Sequence, residues 1–283
     1  MKALKDILYK VSLVSTSGNM EGLVSSVAFD SRKVNKGTLF VAVKGTQVDG
    51  HEYIKMAIES GATAIVCENI PAEMQEDITY VAVKDSSDAL GIIASNFFDN
   101  PSSKLKLIGV TGTNGKTTVA TLLFDLYRQM GYSTGLLSTV VNRIDNKVLA
   151  ASHTTPDAIN LNEMLAQMVE NGCEYCFMEA SSHAIDQRRV AGVHFSGGVF
   201  TNISHDHLDY HKTFDAYIAA KKRLFDDLPS SAFALVNVDD KRGRIMLQNT
   251  KASKNSFALK SVAEFRAKLM ANSLHGLEMD IDS

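Results

Sequence analysis

The stretch Leu105-Lys-Leu-Ile-Gly-Val-Thr-Gly-Thr-Asn-Gly-Lys-Thr-Thr-Val-Ala120 decides the fold. Its first part, Leu105 to Val110, is an apolar run of the length of a buried strand. A glycine-rich turn follows, and then Ala120, Leu123, Phe124 and Tyr127 recur at helical spacing. This order sets the turn at the carboxyl end of a strand and the amino end of a helix, where backbone N–H groups and the positive helix end face an anion together. In Gly112-Thr113-Asn114-Gly115-Lys116-Thr117-Thr118 that anion would be the polyphosphate of ATP, with Lys116 reaching the outer phosphates and Thr117 offering its hydroxyl to Mg2+. The common phosphate-loop pattern separates its two glycines by four residues, whereas two separate Gly112 from Gly115. On spacing alone, a plain glycine turn with a solvated lysine stays open beside nucleotide binding.

Upstream, residues 1–98 alternate β-rich runs with helical patterns, which argues for a separate small α/β domain. Strands are expected over 26–30, 38–43, 62–66 and 79–83, and helices over 52–60 and 86–98. Asp99-Asn-Pro-Ser-Ser103 gathers a proline and small polar residues and reads as the linker to a second domain over 104–283. The fold class is therefore α/β, a small first domain followed by a mostly parallel sheet flanked by helices. At the far end, Leu277, Met279 and Ile281 alternate with acidic residues as in a half-buried strand without a partner. The second domain is expected to be incomplete there.

Charge and composition narrow the classes of function. With a net charge of −3, both signs interspersed and no run of Lys and Arg that suggests a phosphate-backbone surface, the chain is not expected to bind nucleic acid. The first ten residues break their apolar positions with charges, and no later run is long enough to span a bilayer, so a cytoplasmic protein without membrane insertion is expected. Cys67, Cys173 and Cys176 are too few and too odd in number for a disulfide framework. The pair Cys173-x-x-Cys176 lies in a strand-like run and has no second pair to complete a zinc site, so all three read as reduced core thiols.

Downstream of the glycine turn, Phe177-Met-Glu179 begins as an apolar strand and ends in a carboxylate, at the strand end where α/β sheets bind ligands. Thr201-Asn-Ile-Ser-His205-Asp206-His207-Leu-Asp209-Tyr-His211 repeats the arrangement after Gly198-Val-Phe200. Each histidine alone reads as one satisfied by backbone or solvent; three interleaved with aspartates read better as a site. Zinc is possible by residue type, but beside a phosphate loop the harder ion Mg2+ is favoured. Lys221-Lys222-Arg223 reads on its own as a solvated basic face.

Together these stretches resemble the Mur ligase family, and within it the MurE-type ligases that extend UDP-N-acetylmuramoyl-L-alanyl-D-glutamate. The resemblance covers essentially the whole chain. Residues 111–118 match the family's phosphate loop, so the short glycine spacing becomes a family trait. Asp30-Ser-Arg32, Gly37 to Gly45 and Asp49-Gly-His51 are similar to the amino-terminal domain that holds the uridine end of the nucleotide sugar, which implicates Ser31, then Thr46, Gln47 and Val48. His153-Thr-Thr-Pro-Asp157 is similar to the subfamily's Thr-Thr-Pro signature. The resemblance assigns Thr154, Thr155, Ser181, Gln187 and Arg189 to the muramoyl dipeptide and Asn237 to the adenine side of ATP.

By the same matching, Glu179 and His207 fall on Mg2+ ligands, and Lys221, not Lys222, on a lysine carbamylated by CO2. A cationic lysine would repel the metal, whereas its carbamate donates anionic oxygen. The implied reaction adds a third stem amino acid, meso-diaminopimelate or L-lysine with the former favoured as commoner, through an acyl phosphate. Lys116, Glu179, His207 and Lys221 would serve the chemistry, and His183 and His211 supporting contacts. The resemblance further implies a monomeric full-length enzyme and a third domain missing here, so the chain is expected to bind substrates without completing the ligation. A folylpolyglutamate synthetase-like ligase, a kinase or hydrolase with a phosphate loop, and a catalytically silent binding module are the alternatives.

Overall fold

The computed structural model describes residues 1–45, 48–150, 154–273 and 276–282. The chain divides into two compact units: Met1–Ser102 with Pro156–Gln167 and Gln187–Val193, and Ser103–Thr155 with Met168–Asp186 and His194–Ser283.

The first unit runs β1 (Lys2–Ala3), α1 (Leu4–Ile7), β2 (Leu13–Ser17), β3 (Leu23–Val24), β4 (Ser26–Ala28), β5 (Thr38–Val41), α2 (Ile54–Glu59), β6 (Ala62–Cys67), β7 (Thr79–Val83) and α3 (Ser86–Phe97). Its main sheet has the order β2-β7-β6-β5-β4, parallel except at β2. Strand residues alternate between faces, and here both faces are buried. Leu39, Val41, Val66 and Val81 point to one core with Ala89, Leu90, Ile93 and Ala94 of α3, while Phe40, Ile65 and Tyr80 point to another with Ile54 and Ala57 of α2. Asp85 caps α3 by accepting from the Asp88 amide.

Two later segments fold into this unit. Ala158 joins the core beneath α3. Arg188 pairs with Asp88, and Ala191 lies so close to α3 that a Cβ on Gly91 would stand 2.5 Å from its carbonyl oxygen. Asp99 to Ser103 is not the open loop its composition suggests: Pro101–Ser103 form a 3-10 turn in which Pro101 and Ser102 are buried.

The second unit contains β8 (Lys106–Thr111), α4 (Lys116–Gln129), β9 (Thr134–Leu137), β10 (Val141–Ile144), β11 (Lys147–Ala150), α5 (Ala158–Glu170), β12 (Tyr175–Glu179), α6 (Ser182–Asp186), β13 (Gly197–Phe200), α7 (Leu208–His211), α8 (Phe214–Asp226), β14 (Phe233–Asn237), α9 (Gly243–Met246), β15 (Ser253–Ala258), β16 (Phe265–Ser273) and β17 (Gly276–Asp282). The opening residues of α5 belong by compactness to the first unit. The sheet has the order β11-β10-β9-β12-β8-β13-β14-β15-β16-β17, antiparallel only at β10, β11 and β17. Strand β8 lies between β12 and β13, so the phosphate-loop candidate leaves the middle of the sheet. Phe124 and Ala120 of α4 pack on Ile108, Val110 and Phe177 of these strands. All three cysteines are free and buried, and burial pushes the Cys67 thiol up to about 11.

The end of the chain departs from expectation. Strand β17 does have a partner, pairing antiparallel with β16, and it is exposed rather than half-buried, with Leu277, Met279 and Ile281 at 62%, 47% and 65%. Strand β16 pairs with β15 through Phe257–Phe265 and Ala258–Arg266 only, and nearly all the described residues of the hairpin are exposed.

Because Gly91 faces a backbone carbonyl rather than a flexible side chain, Gly91→Ala should destabilise the first unit by about 1–3 kcal/mol. Urea denaturation followed by circular dichroism measures this, and an unchanged midpoint would contradict the packing of residues 187–193 on α3.

Candidate functional site

The loop after β8 is held from outside by the end of β13. Thr113 N donates to Asn202 O at 2.8 Å, Asn114 N to Asn202 Oδ1 at 3.0 Å, and Thr201 Oγ1 to Asn114 O at 2.7 Å. A Cβ on Gly112 would fall 1.9 Å from Thr201 Oγ1, so this contact requires glycine. Gly115 turns the chain into α4 with a left-handed φ of 83°.

Two lysines meet at this loop. Lys116 Nζ donates to the Gly112 and Thr113 carbonyls at 3.0 and 2.9 Å, and Lys221 Nζ donates to the same Gly112 carbonyl at 2.8 Å. Lys221 also lies over the Tyr217 ring at 4.6 Å, and the Tyr217 hydroxyl is 3.1 Å from Thr113 Oγ1. The solvated face read from Lys221-Lys222-Arg223 is therefore wrong for its first member, which is 1% exposed. Tyr217, Ala220, Lys221 and Leu224 form the inward stripe of α8, while Lys222 pairs with Asp226 at 2.6 Å. Burial, and then the charge of Lys116, bring the Lys221 ammonium down to about 7 against the opposing pull of Asp206. Burial lowers Lys116 too, with Glu179 and Asp206 opposing.

Glu179 closes β12 opposite Val110 in register, one strand from the loop, and is 1% exposed. Its carboxylate accepts from Thr139 N at 2.7 Å and Thr139 Oγ1 at 3.2 Å. Thr139 Oγ1 also lies 3.1 Å from Thr154 Oγ1; Thr155 Oγ1 donates to Glu179 O at 2.8 Å and accepts from Ser181 N at 3.2 Å. Thr139 thus bonds to two residues singled out from sequence, Glu179 and Thr154, although it was itself missed. The signal was available, since Thr139 follows the apolar run Gly135-Leu-Leu137 at a strand end. Asp206 and Tyr217 were likewise not assigned roles. Asn237 donates to Thr201 O at 2.9 Å, which brings it to the end of β13 that holds the loop.

Helix α7 is one turn bracketed by left-handed residues, His207 with φ 53° and Lys212 with φ 65°. Such conformations cost about 1–3 kcal/mol each away from glycine and persist only where surroundings enforce them. The rings of His183 and His207 lie 4.8 Å apart, and His205 stacks on Phe214 at 4.3 Å. His211 is buried with Nε2 3.0 Å from Ser182 Oγ, and burial lowers its basicity.

Among the described residues, no three His, Cys, Asp or Glu side chains gather closely enough to hold a metal by themselves. The donor chemistry fits Mg2+ nonetheless, because that ion keeps waters and phosphate oxygens and takes only one or two carboxylates from protein. A buried carboxylate at Glu179 that feels Lys116, and a buried Thr111 hydroxyl with no partner beside the loop, suit such a partly filled site.

In the first unit a cavity of about 640 Å³ is lined by Ser31, Arg32, Val48, Tyr53 and Met56 among others. Ser31 Oγ lies 3.5 Å from Met56 Sδ, and Asp30 holds Arg32 at 2.8 Å. Thr46 and Gln47 lie outside the described residues. Gln187 accepts from Arg189 Nε at 3.0 Å, and both belong to the first unit, whereas Thr154, Thr155 and Ser181 belong to the second.

Comparison with known proteins gives a coherent picture. The Mur ligase middle domain matches residues 110–283, and the domain described as "Mur ligase family, catalytic domain" matches residues 23–98. A UDP-N-acetylmuramoyl-L-alanyl-D-glutamate--2,6-diaminopimelate ligase of Cytophaga hutchinsonii is 60% identical over 280 residues, which cover 99% of this chain and 58% of that protein. The protein of the same name from Bacteroides fragilis is 50% identical with the same coverage. A solved structure of a ligase so named superposes with a TM-score of 0.83 at 25% identity, over 99% of this chain and 57% of that one. The chain spans about 58% of the length of the curated relatives it matches.

The buried Lys221 predicts a pH dependence. Its ammonium loses a proton near 10.5 when unfolded but about 7 when folded. Below pH 7 both states hold the proton and the burial penalty is fully present; between the two values the unfolded chain binds more protons, so stability rises with pH. In CO2-free buffer, Lys221→Met should therefore be more stable than the parent near pH 6, with the advantage shrinking toward pH 10. Denaturant titrations across this range measure it, and a gap that does not change with pH would refute the assignment.

Proposed function

The chain belongs to the Mur ligase family, and from that premise we propose that it supplies the nucleotide-sugar and ATP sites of an ATP-dependent, ADP-forming ligase. The ligase joins meso-diaminopimelate to the D-glutamyl γ-carboxylate of UDP-MurNAc-L-Ala-D-Glu in peptidoglycan synthesis. The observation that carries the reading is the meeting of Lys116 and Lys221 on the Gly112 carbonyl, one strand from buried Glu179. Against the folylpolyglutamate synthetase-like alternative stand relatives at 60% and 50% identity that bear the diaminopimelate ligase name.

In this reading ATP lies in the loop from Gly112 to Thr118, with Asn237 toward its adenine. Lys116 exchanges its two loop carbonyls for phosphate oxygens and balances the charge that spreads over the moving phosphoryl group. The γ-carboxylate oxygen bonds to the γ-phosphorus, the bond to the bridging oxygen breaks, and ADP departs. The amine nitrogen of the incoming amino acid then bonds to the acyl carbon, phosphate leaves, and the extra proton passes to solvent. Thr154, Thr155, Ser181, Gln187 and Arg189 hold the dipeptide acceptor, and Ser31, Thr46, Gln47 and Val48 the uridine end. Positioning and electrostatics carry the catalysis, and no protein nucleophile is needed.

Mg2+, held by Thr117, Glu179, His207 and a carbamate on Lys221, would neutralise phosphate oxygens. Lys221 is suited to carry the carbamate because its environment favours the neutral amine, whose nitrogen bonds to CO2 carbon with loss of a proton. The modification replaces a buried cation beside Lys116 with an anion. No helix among the described residues is long and apolar enough to cross a membrane; the proposed enzyme acts in the cytoplasm as a monomer.

Two measurements test the proposal. Lys116→Ala should weaken ATP binding about 10- to 100-fold, the worth of one or more charge-assisted hydrogen bonds, while circular dichroism stays unchanged; equal affinity by calorimetry would remove the phosphate-loop role. With 13C-labelled bicarbonate, a carbamate carbon resonance should appear in the parent and in Lys222→Met but vanish in Lys221→Met. The same signal in all three proteins would place the modification elsewhere.

A further inference from the structure

The candidate metal ligand His207 sits at the entry of a one-turn helix with unfavourable backbone at both ends, and two hydrogen bonds tie that helix to α6. His211 Nε2 lies 3.0 Å from Ser182 Oγ, and Tyr210 Oη donates to Asp186 Oδ2 at 3.0 Å. The two partner residues are the first and last of α6, which begins three residues after Glu179. His183, in the same helix, lies 4.8 Å from the His207 ring and 4.3 Å from the Tyr210 ring.

We infer that Tyr210 and His211 are positioning residues, which clamp α7 to both ends of α6 and thereby hold His207 in its left-handed conformation at a fixed place relative to Glu179. The inference rests on the metal-binding reading given above. The chain leaves β12 at Glu179, enters α6, and is tied there to the segment that carries His207. Backbone pairing does not reach His207: Thr201 and Asn202 bond to Thr111 and Thr113, and the segment from there to His207 is irregular. The His207 amide itself accepts no help from a ladder; it donates to Asp206 Oδ1 at 2.8 Å. Its conformation is enforced from the far side of the turn, where the His211 amide donates to His207 O at 3.0 Å and the His211 ring is buried against Ser182 and Tyr217. Removing a clamp bond frees α7 to relax its strained ends, and His207 moves with them.

The test is a double-mutant cycle read by calorimetry of ATP binding to the 283-residue chain, with Mg2+ and separately with EDTA. Tyr210→Phe and Ser182→Ala each remove one clamp hydrogen bond with little change in shape. Each should reduce the gain in affinity that Mg2+ gives by at least threefold and leave the affinity in EDTA within twofold. His211→Gln, which keeps a polar nitrogen near the Nε2 position, should retain more of the gain than His211→Phe. In a His207→Ala background the clamp substitutions should cost nothing more, since their effect passes through His207. An equal loss with Mg2+ and EDTA, or an undiminished cost in the His207→Ala background, would show a merely structural role and overturn the inference. A parent protein with no Mg2+ gain would instead defeat the metal reading itself, and this inference with it. A parent gain that all clamp variants keep would defeat this inference alone.

Discussion

A single backbone carbonyl, that of Gly112, accepts hydrogen bonds from two lysines in a buried setting, and the rest of the second unit is arranged around that constraint. Two ammonium groups on one oxygen repel each other, and burial removes the water that would screen them. Lys116 gains some relief from Glu179 and Asp206, and Lys221 yields most of its basicity. Thr201 and Asn202 hold the loop from β13, and the contact at Gly112 leaves no room for a side chain. What would satisfy both nitrogens is an anion. A polyphosphate satisfies Lys116, and conversion to a carbamate changes the sign of Lys221.

The fold makes this meeting possible through strand order. Placing β8 between β12 and β13 brings the loop, Glu179 and the Thr201–Asn202 corner to the same end of three adjacent strands. Residues from distant parts of the chain, Lys116 and Lys221, then meet because α8 presents one inward stripe. The first unit keeps a cavity of its own around Ser31.

Much of this could be read from the residues alone, and the exceptions have physical causes. The strand at Leu105–Val110 and the helix carrying Ala120, Leu123, Phe124 and Tyr127 were legible because hydrophobic period and glycine punctuation are local signals. The burial of Lys221 was not legible locally, since Lys221-Lys222-Arg223 looks solvated and only the packing of Tyr217 and the loop decides which lysine turns inward. Family resemblance singled out Lys221 where periodicity alone did not. Thr139 escaped notice because a hydroxyl after an apolar strand is common, and only its bonds to Glu179 and Thr154 distinguish it. The return of residues 187–193 to the first unit depends on a close approach to Gly91 that no linear pattern records. Leu277, Met279 and Ile281 followed the strand period correctly, but periodicity does not reveal whether a layer of helices reaches that far.

The claim that an unrelieved pair of lysines awaits an anion is tested most directly by thermodynamic linkage. The chain would be unfolded by denaturant at increasing concentrations of inorganic tripolyphosphate without nucleotide. The account predicts a stability that rises with the logarithm of ligand concentration above the dissociation constant, by about 2.7 kcal/mol at one hundred times that constant and about 4.1 kcal/mol at one thousand times, and a much smaller rise once Lys116 is replaced by methionine. No rise, or one that is unchanged by that replacement, would contradict it.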